Sequence, residues 1–504
     1  MQATTMFALA ATAMLALVAL VAAGGMDPRN QEAFYASMMP ASRDTGKPLP
    51  LTPAEEAMVA KASRKDVNGW IYVNISGDPY EMGFQNGYTM AKEWAAAVQA
   101  YEYMTLQTTG MTYQFFVDKA NEMQAHLITD EYMQEMQGMA DGATKAGVRA
   151  TLADIVGWNA YMGLTGYWWP TVVSKYASAK NDGARFSTSH CSAFVATGSA
   201  TADGKIVIGH ETFTSFWNGA FMNVMLSLKP TSGNAILMQT SYLYLSSMTD
   251  FWLNSGGLVV TETTLAGFQG FDTAGIPEFI RVRNATQYAS TIDEWIAIME
   301  GGNNGGYANS WLLADIHSNE IAEYEQGLTY TYTNKLADGY IFGDNVANSP
   351  EIRNLECADT GFSDVRQQTG ARRTRWPQLL NGHYGNISVA AGQSMLGDTY
   401  DVYLKKENPS SRCICGMYDV DPQYYVSDPN AVWNVPFTPA GSVDGKVTSA
   451  DMAARMEMSA IFGRANGAPF DADAFIADNP QWAWQKSVLT SRPSQPWTTF
   501  AGAH

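Results

Sequence analysis

The stretch HCSAFVATGSATADGKIVIGHE, residues 190–211, decides the fold of this chain. Cys191 opens a strand-like apolar run, the Asp203-Gly204 pair predicts a turn, and a second strand-like run ends at His210. The stretch therefore predicts two consecutive strands, with a thiol at the head of the first and an imidazole at the end of the second. A thiol placed in this way is a candidate nucleophile.

The chain as a whole is large, acidic and of ordinary globular composition. Its 504 residues can bury a substantial core, and because 46% of them are hydrophobic, extensive disorder is not expected. The net charge of −18 would repel a polyanion. Nucleic acid is therefore not an expected partner.

The four cysteines are too few for a disulfide scaffold in a chain of this length. Cys357 could pair with either Cys413 or Cys415, which would leave Cys191 free. The Cys-x-Cys spacing at 413–415 is tighter than the usual spacing in zinc sites, and the six histidines show no ligand spacing. We therefore expect no metal and no cofactor.

The N-terminus predicts export. Phe7–Ala23 is nearly unbroken apolar sequence followed by small residues, which is typical of a secretory signal peptide over residues 1–24. An uncleaved membrane anchor is the alternative, because the run approaches the roughly 20 residues that span a bilayer. We expect a secreted or lumenal protein, lysosome-like or periplasmic according to the host. Three glycosylation sequons fit a eukaryotic route, at Asn74, Asn284 and Asn386.

Hydrophobic periodicity divides the rest of the chain into three parts. Residues 25–63 are polar and proline-bearing, and they predict a linker or arm. Residues 64–190 are largely helical in pattern, with a helix over Thr129–Ala146. Residues 191–504 are rich in strand patterns, interrupted by a helix over Thr291–Glu300.

The order of these elements favours an α+β fold, with two mainly antiparallel sheets between helical layers. A capping box over residues 448–451 predicts a further helix that runs to Ile461. The aromatic run at 167–169 favours core packing, with contact to lipid or to a removable segment as the alternative. We expect one catalytic domain made of two fragments, 64–190 and 191–504.

Missing motifs exclude several familiar chemistries. The chain has no G-x-S-x-G elbow, and the His-Glu pair at 210–211 lacks the second histidine that a zinc protease needs at position 214. The glycine-rich run at 301–306 lacks a P-loop lysine, and HCSAF does not match a papain-like site. An N-terminal nucleophile remains. The chain would be cut between His190 and Cys191, and the freed α-amine would then serve as the base for the thiol.

Five segments on both sides of the thiol carry a resemblance to known enzymes. They are GDPYEMGFQNGYTMAKEW, HCSAFVATG, GHETF, SGGLVVTETTL and GGYANSWLLAD. These segments resemble the penicillin-acyltransferase-like cysteine hydrolases, and most of all the phospholipase B-like branch, over about Gly69 to Trp484. The resemblance implies an αββα sandwich of the N-terminal-nucleophile hydrolase type, self-cleavage before Cys191, and acyl hydrolysis without a metal.

The resemblance also implies roles for individual side chains. Asn309 matches the family position whose amide helps to hold the oxyanion. His210 matches a histidine that orients the nucleophile or assists proton movement. Arg372 resembles an arginine near the acyl carbonyl or leaving group, with Arg375 as the alternative. Glu211 departs from the family, where Asn is common, and a carboxylate beside the thiol would raise the cysteine pKa.

The expected function is that of a self-processing cysteine acyl hydrolase. As the resemblance implies, it would release fatty acyl groups from phospholipids or related lipid amides, with peripheral membrane contact. The enzyme alternative is a linear amidase or N-acyltransferase that acts on small acylated amines. A third alternative is a non-catalytic lipid-binding protein on the same scaffold.

Overall fold

The fold consists of two β-sheets stacked face to face, with helices on both outer surfaces. The computed structural model describes residues 28–176, 190–358, 360–422 and 435–503. The predicted signal peptide over residues 1–24 lies outside the described residues, as does the side chain of His190. None of the helices in the described ranges combines the length and the apolar character that crossing a bilayer requires.

Most of the strands lie after residue 189, in the region whose sequence patterns predict strands. In chain order they are β1 Ser63–Val67, β2 Trp70–Gly77, β3 His190–Thr197, β4 Val207–Ser215, β5 Val224–Pro230, β6 Ile236–Thr240, β7 Phe251–Asn254, β8 Leu258–Thr264, β9 Asn309–Asp315, β10 Glu320–Gln326, β11 Thr331–Leu336, β12 Gly339–Gly343, β13 Tyr400–Asp401, β14 Lys406–Glu407, β15 Ala440–Ser442, β16 Asp444–Ser449, β17 Glu457–Phe462 and β18 Thr498–Ala501.

These strands form two large sheets that are almost entirely antiparallel. The first has the order β1-β2-β5-β6-β7-β8-β9-β10-β11, and its parallel pair is β2 with β5. The second has the order β12-β3-β4-β16-β17-β18, with β15 also pairing with β4. Strands β13 and β14 form a separate small hairpin. The predicted α+β architecture of two mainly antiparallel sheets is confirmed.

Helices cover the outer face of each sheet. In chain order they are α1 Pro28–Ser37, α2 Pro53–Val59, α3 Pro79–Thr109, α4 Tyr113–Met123, α5 Asp130–Lys145, α6 Leu152–Gly163, α7 Trp169–Val172, α8 Phe216–Gly219, α9 Glu278–Tyr288, α10 Ile292–Glu300, α11 Gln368–Gly382, α12 Val389–Leu396, α13 Ala450–Ala453 and α14 Ala472–Asp478. A π-helical turn over Leu164–Trp168 joins α6 to α7.

Alternating side chains on each strand separate the inner core from the outer cores. Ala193 of β3 and Val259 of β8 belong to the cluster between the two sheets. Their neighbours Phe194 and Val260 face outward, into clusters shared with the helices. The aromatic run at 167–169 is buried in these cores, which confirms core packing.

The largest helical contact, between α3 and α5, depends on glycines. A Cβ atom at Gly83 would lie 1.9 Å from the carbonyl oxygen of Glu135, and one at Gly142 would lie 2.2 Å from that of Phe84. Any side chain at these positions would push the two backbones apart. The glycines therefore allow a close helix pair to cover the first sheet.

Two segments differ from the prediction. The predicted capping box over residues 448–451 does not form. Ser449 is the N-cap and accepts from the Met452 N–H, and the helix that it starts is only the four-residue α13. Met456 then has a left-handed φ of 52°, and the chain returns as β17, so the predicted helix to Ile461 is wrong. Residues 25–63 are not a free arm over their described part, because Arg43 forms ion pairs with the helical layer.

The predicted disulfide between Cys357 and either Cys413 or Cys415 is wrong, since all four cysteines are free thiols. Each thiol has its own surroundings. Cys413 Sγ donates to the carbonyl of Asn408 at 3.2 Å. Cys415 is buried in the core under α11 and α12, whereas Cys357 packs in a different cluster.

Candidate active site

The predicted nucleophile lies at the start of β3, in the space between the two sheets. Cys191 is 1% exposed and pairs with Thr212 of β4. His210 pairs with Ala193, two residues further along β3, so strand alternation places both side chains on the inter-sheet face. The structure thus brings Cys191 and His210 together, as the sequence predicts.

A buried carboxyl group, Glu262 of β8, completes the immediate surroundings of the thiol. Its Oε1 lies 3.8 Å from Cys191 Sγ. One ligand-type atom from each of Cys191, His210 and Glu262 lies within 4.8 Å of the other two. Burial first, and Glu262 second, raise the pKa of the Cys191 thiol well above its usual range. The last residue pair between β7 and β8 joins Phe251 to Thr261, and Glu262 is the next residue of β8.

His210 is a neutral imidazole with spare hydrogen-bonding capacity. Its side chain is fully buried, and burial together with the nearby Lys446 ammonium lowers its pKa well below the usual range. Neither ring nitrogen makes a well-formed hydrogen bond within the described residues, although the backbone of Glu262 is close enough to act on the ring and raise its pKa against these two effects. Buried polar atoms without partners are uncommon, which makes this ring a candidate ligand or proton carrier.

Glu262 belongs to a pair of acids that share protons through a tyrosine. The Tyr307 hydroxyl lies 2.7 Å from Asp250 Oδ2 and 2.8 Å from Glu262 Oε1. A phenol has one proton to donate, so at least one of the two acids must itself be protonated. Consistent with this, burial raises the pKa of Asp250 to about 7, and burial with the nearby Asp250 raises the pKa of Glu262 well above its usual range.

A small pocket lies next to Tyr307, which forms part of its wall. Its wall includes Asn159 of α6, Tyr244 and a third buried acid, Glu278. Burial and the nearby Asp250 raise the pKa of Glu278 well above its usual range. The buried acids near the thiol are therefore followed by a third acid in the wall of a small, partly open pocket.

Asn309, at the start of β9, points its amide at the same acid. With its amide nitrogen assigned from the hydrogen-bond pattern, Asn309 donates to Glu262 Oε2 at 2.7 Å and to the Ala308 carbonyl at 3.0 Å. The predicted oxyanion donor therefore lies in the site, and in this state it binds Glu262.

Arg372 of α11 holds the backbone of the nucleophile. Its Nη1 donates to the Cys191 carbonyl and to Ser192 Oγ, the latter at 3.2 Å. Its Nη2 donates to Asn345 Oδ1 at 2.7 Å, and the same oxygen accepts the Cys191 N–H at 3.1 Å. The Asn345 amide in turn donates to the Thr264 carbonyl at 2.7 Å. Arg372 and Asn345 thus hold both backbone groups of Cys191.

Two expectations about neighbouring residues are corrected. Arg375, the alternative to Arg372, pairs with Asp398 at 2.6 Å and lies over Tyr400, away from the thiol. Glu211 pairs with Ser192, so strand alternation turns it to the face opposite Cys191. The carboxyl group beside the thiol is Glu262.

Sequence reasoning missed three members of the site, although weak signals were present. Glu262 is an acid inside the otherwise buried strand SGGLVVTETTL, where a charge needs a partner. Asn345 follows the strand YIFGD and has a left-handed φ of 72°, which asparagine tolerates. Tyr307 carries no distinctive signal beyond its place before β9.

The predicted sequons occupy different surroundings. Asn386 is exposed in a turn, as a glycan acceptor requires. Asn74 is half-buried in β2 and donates to Ser63 Oγ at 3.1 Å, and Asn284 is half-buried in α9. Glycosylation therefore stays a prediction, and Asn386 is its best-placed site.

Known proteins that resemble this chain in sequence include several described as phospholipase B or phospholipase B-like. The family described as phospholipase B matches residues 78–358. Phospholipase B-like protein A of Dictyostelium discoideum is 25% identical over 340 residues, which cover 61% of this chain and 56% of that protein. Phospholipase B of Crotalus adamanteus is 24% identical over 43% of this chain and 41% of that protein. The chain spans about half the length of these curated relatives or less.

A solved structure of a variant of conjugated bile acid hydrolase from Clostridium perfringens is similar over 54% of this chain and 89% of that one. Its sequence identity is 10% and the TM-score is 0.29. The family match rests on sequence and includes β3, β4, β8 and β9, which carry Cys191, His210, Glu262 and Asn309. Since that match covers more than half of the chain, the protein belongs to the phospholipase B family, as its sequence motifs predict.

Proposed function

We propose that the protein is a self-processing cysteine acyl hydrolase whose nucleophile is Cys191. The observation that supports the proposal is that the backbone of Cys191 is fixed by hydrogen bonds on both sides while its thiol lies next to an acid. Its N–H is bonded to Asn345, its carbonyl to Arg372, and its thiol lies 3.8 Å from Glu262. A backbone fixed on both sides favours a reaction at that peptide bond, because the thiol and the bond are held in one geometry.

The first reaction would cut the chain before Cys191. The thiol sulfur attacks the carbonyl carbon of His190, the C–N bond to Cys191 breaks, and the nitrogen takes up the thiol proton to become a free amine. Water then hydrolyses the resulting thioester, which releases residue 190 as a carboxylate and regenerates the thiol. Asn345 would hold the nitrogen through this step.

The second reaction would turn over substrate with the same groups. The α-amine accepts the thiol proton, the sulfur attacks an acyl carbonyl, and the leaving alcohol or amine takes that proton away. Water then cleaves the acyl thioester. Asn309 would leave Glu262 and donate to the oxyanion, an interaction worth roughly 3–4 kcal/mol. Arg372 would keep the nucleophile in position throughout.

The substrate class in this proposal is an acyl lipid, and the names of the phospholipase B relatives support esters. Thioester chemistry serves amides equally well, so lipid amides, or small acylated amines for a linear amidase, are the rival substrates. A panel that pairs one acyl chain as an ester and as an amide would separate these activities. A protein that binds the panel without hydrolysing any member would support the non-catalytic alternative.

Intact mass of the purified full-length protein tests self-processing directly. We expect two fragments whose junction lies between residues 190 and 191, and a single uncut chain for Cys191→Ala. Cys415→Ser is the matched control, because it also removes a fully buried thiol but leaves the proposed nucleophile in place. Wild-type protein that stays uncut, or Cys191→Ala protein that is cut and active, would overturn the proposal.

A further inference from the structure

The thiol, the imidazole and the acid of the site form a donor set that acyl transfer alone does not require. One sulfur, nitrogen or oxygen atom from each of Cys191, His210 and Glu262 lies within 4.8 Å of the others. All three side chains are buried, and the His210 ring makes no well-formed hydrogen bond within the described residues, its nearest polar neighbour being the backbone of Glu262. We propose that the active site binds a Zn²⁺ ion that blocks the nucleophile reversibly.

The ligand types favour zinc over other common cations. Thiolate, imidazole and carboxylate are its usual protein ligands, whereas Ca²⁺ and Mg²⁺ prefer sites built from oxygen alone. In a tetrahedral zinc site the ligand atoms lie roughly 3.3–3.6 Å apart, given bond lengths of about 2.0–2.3 Å. The 3.8 Å between Cys191 Sγ and Glu262 Oε1 is already close to this spacing.

The fourth ligand would come from the cut itself, and this step rests on the proposed function. In the uncut chain the nitrogen of Cys191 is an amide that donates to Asn345, so it has no lone pair for a metal. Cleavage would convert that nitrogen into an amine, which can close a five-membered chelate ring with the sulfur of the same residue. The cut protein should therefore bind zinc more tightly than the uncut chain.

The charges around the donor set are compatible with a dication. Lys446 and Arg372 are the nearby cations that could oppose binding. Lys446 Nζ lies 2.5 Å from Asp444 Oδ1, so these two form a neutral pair, and the Arg372 guanidinium is held on the Cys191 carbonyl and Asn345. Asp250 and Glu262 add two acids, joined through Tyr307, at the same place. A bound zinc ion would replace their shared protons as the positive charge that balances them.

The consequence would be a second level of control on the enzyme. A thiolate bound to zinc is a weaker nucleophile, because the ion draws electron density from the sulfur, and the ion also occupies space beside the sulfur that an acyl group needs for its approach. Zinc would thus inhibit hydrolysis without denaturing the protein, and a chelator would restore activity.

Metal binding by purified, cut protein tests the inference without relying on activity. After incubation with Zn²⁺ and desalting, we expect one zinc per protein. With Co²⁺ as the probe, we expect a thiolate-to-cobalt charge-transfer band. Glu262→Gln should weaken zinc binding about 10- to 100-fold or more, since even outer partners of metal ligands have effects of this size. Glu323→Gln is the matched control, as another buried acid outside the site, and it should bind like wild type.

The outcomes separate this inference from the proposed function. A protein that is cut and hydrolyses acyl substrates but retains no zinc would overturn the metal site alone. Retention of zinc and of the cobalt band by Cys191→Ser would also overturn it. An uncut protein that binds zinc with the charge-transfer band would support the three-side-chain site while the proposed processing fails.

Discussion

Arg372→Lys is the most informative single substitution, because it keeps the positive charge and removes the planar guanidinium that makes two hydrogen bonds at once. The guanidinium of Arg372 reaches two targets at once, the Cys191 carbonyl through Nη1 and the Asn345 side chain through Nη2. A lysine ammonium is a single point that cannot reproduce this planar fork. The variant should therefore retain one anchor of the nucleophile and lose the other.

The size of the effect follows from the lost bond. A hydrogen bond to a charged group contributes about 1.5–3 kcal/mol. If that bond holds the nucleophile in its reactive position, its loss should lower kcat about 10- to 150-fold, with a smaller change in KM. Processing should slow in parallel, since the same anchor holds the peptide bond before Cys191.

The assay is single-turnover hydrolysis of an acyl ester by cut protein, with intact mass to count the cut fraction. Arg375→Lys is the matched control on the same helix. Its two bonds to Asp398, at 3.0 Å and 2.6 Å, lie away from the thiol, so this substitution should leave kcat unchanged even where it lowers stability. Equal kcat for Arg372→Lys and wild type, with a loss in Arg375→Lys, would refute the assignment of Arg372.

Three further outcomes follow from the buried charges. Glu135→Gln leaves the Arg283 guanidinium without its ion partner at 2.8 Å, and should lower the free energy of unfolding by about 3–5 kcal/mol in urea titration. The folded pKa of Asp250 is about 7, against an ordinary value of 3.8, so the folded protein holds a proton that the unfolded chain releases. Stability should therefore fall as pH rises from about 4 to about 7, and Asp250→Asn should flatten that slope in thermal melts. Glu262→Gln should lower the pKa of the Cys191 thiol and move the pH profile of its alkylation, measured by mass, to lower pH; an unchanged profile would contradict the electrostatic role of this acid.

Local pattern predicted the strands well, because short apolar runs bounded by turn residues mark them even where both faces are buried. The run from Cys191 to His210 is the clearest case, and both side chains lie on the face where the pleat of a strand places them. The helix predicted up to Ile461 failed for a local reason. Ser449 alone caps the helix in place of the predicted box, and a left-handed residue at Met456 and the pairing of β17 with β16 end the helix after one turn.

The site was only partly predictable, because its members meet through tertiary structure. Cys191 and His210 lie on neighbouring strands and could be found from their spacing. Glu262 approaches the thiol from the other sheet, and Asn345 reaches it from the loop after β12. No sequence spacing encodes the stacking of two sheets, so the prediction placed the nearby carboxylate at Glu211, which the pleat turns away.

The pairing of β2 with β5 has a consequence for the processed protein. Ile71–Gly77 lies before the proposed cut and Val224–Pro230 after it, yet the two strands are joined along their length within one sheet. The cut product would thus be an obligate two-chain complex whose halves share a core. Its refolding from denaturant would require a bimolecular encounter and depend on concentration, whereas the uncut precursor folds as one chain. After processing, the fold would persist because it unfolds slowly, whereas the fold of the uncut precursor can be regained by refolding of a single chain.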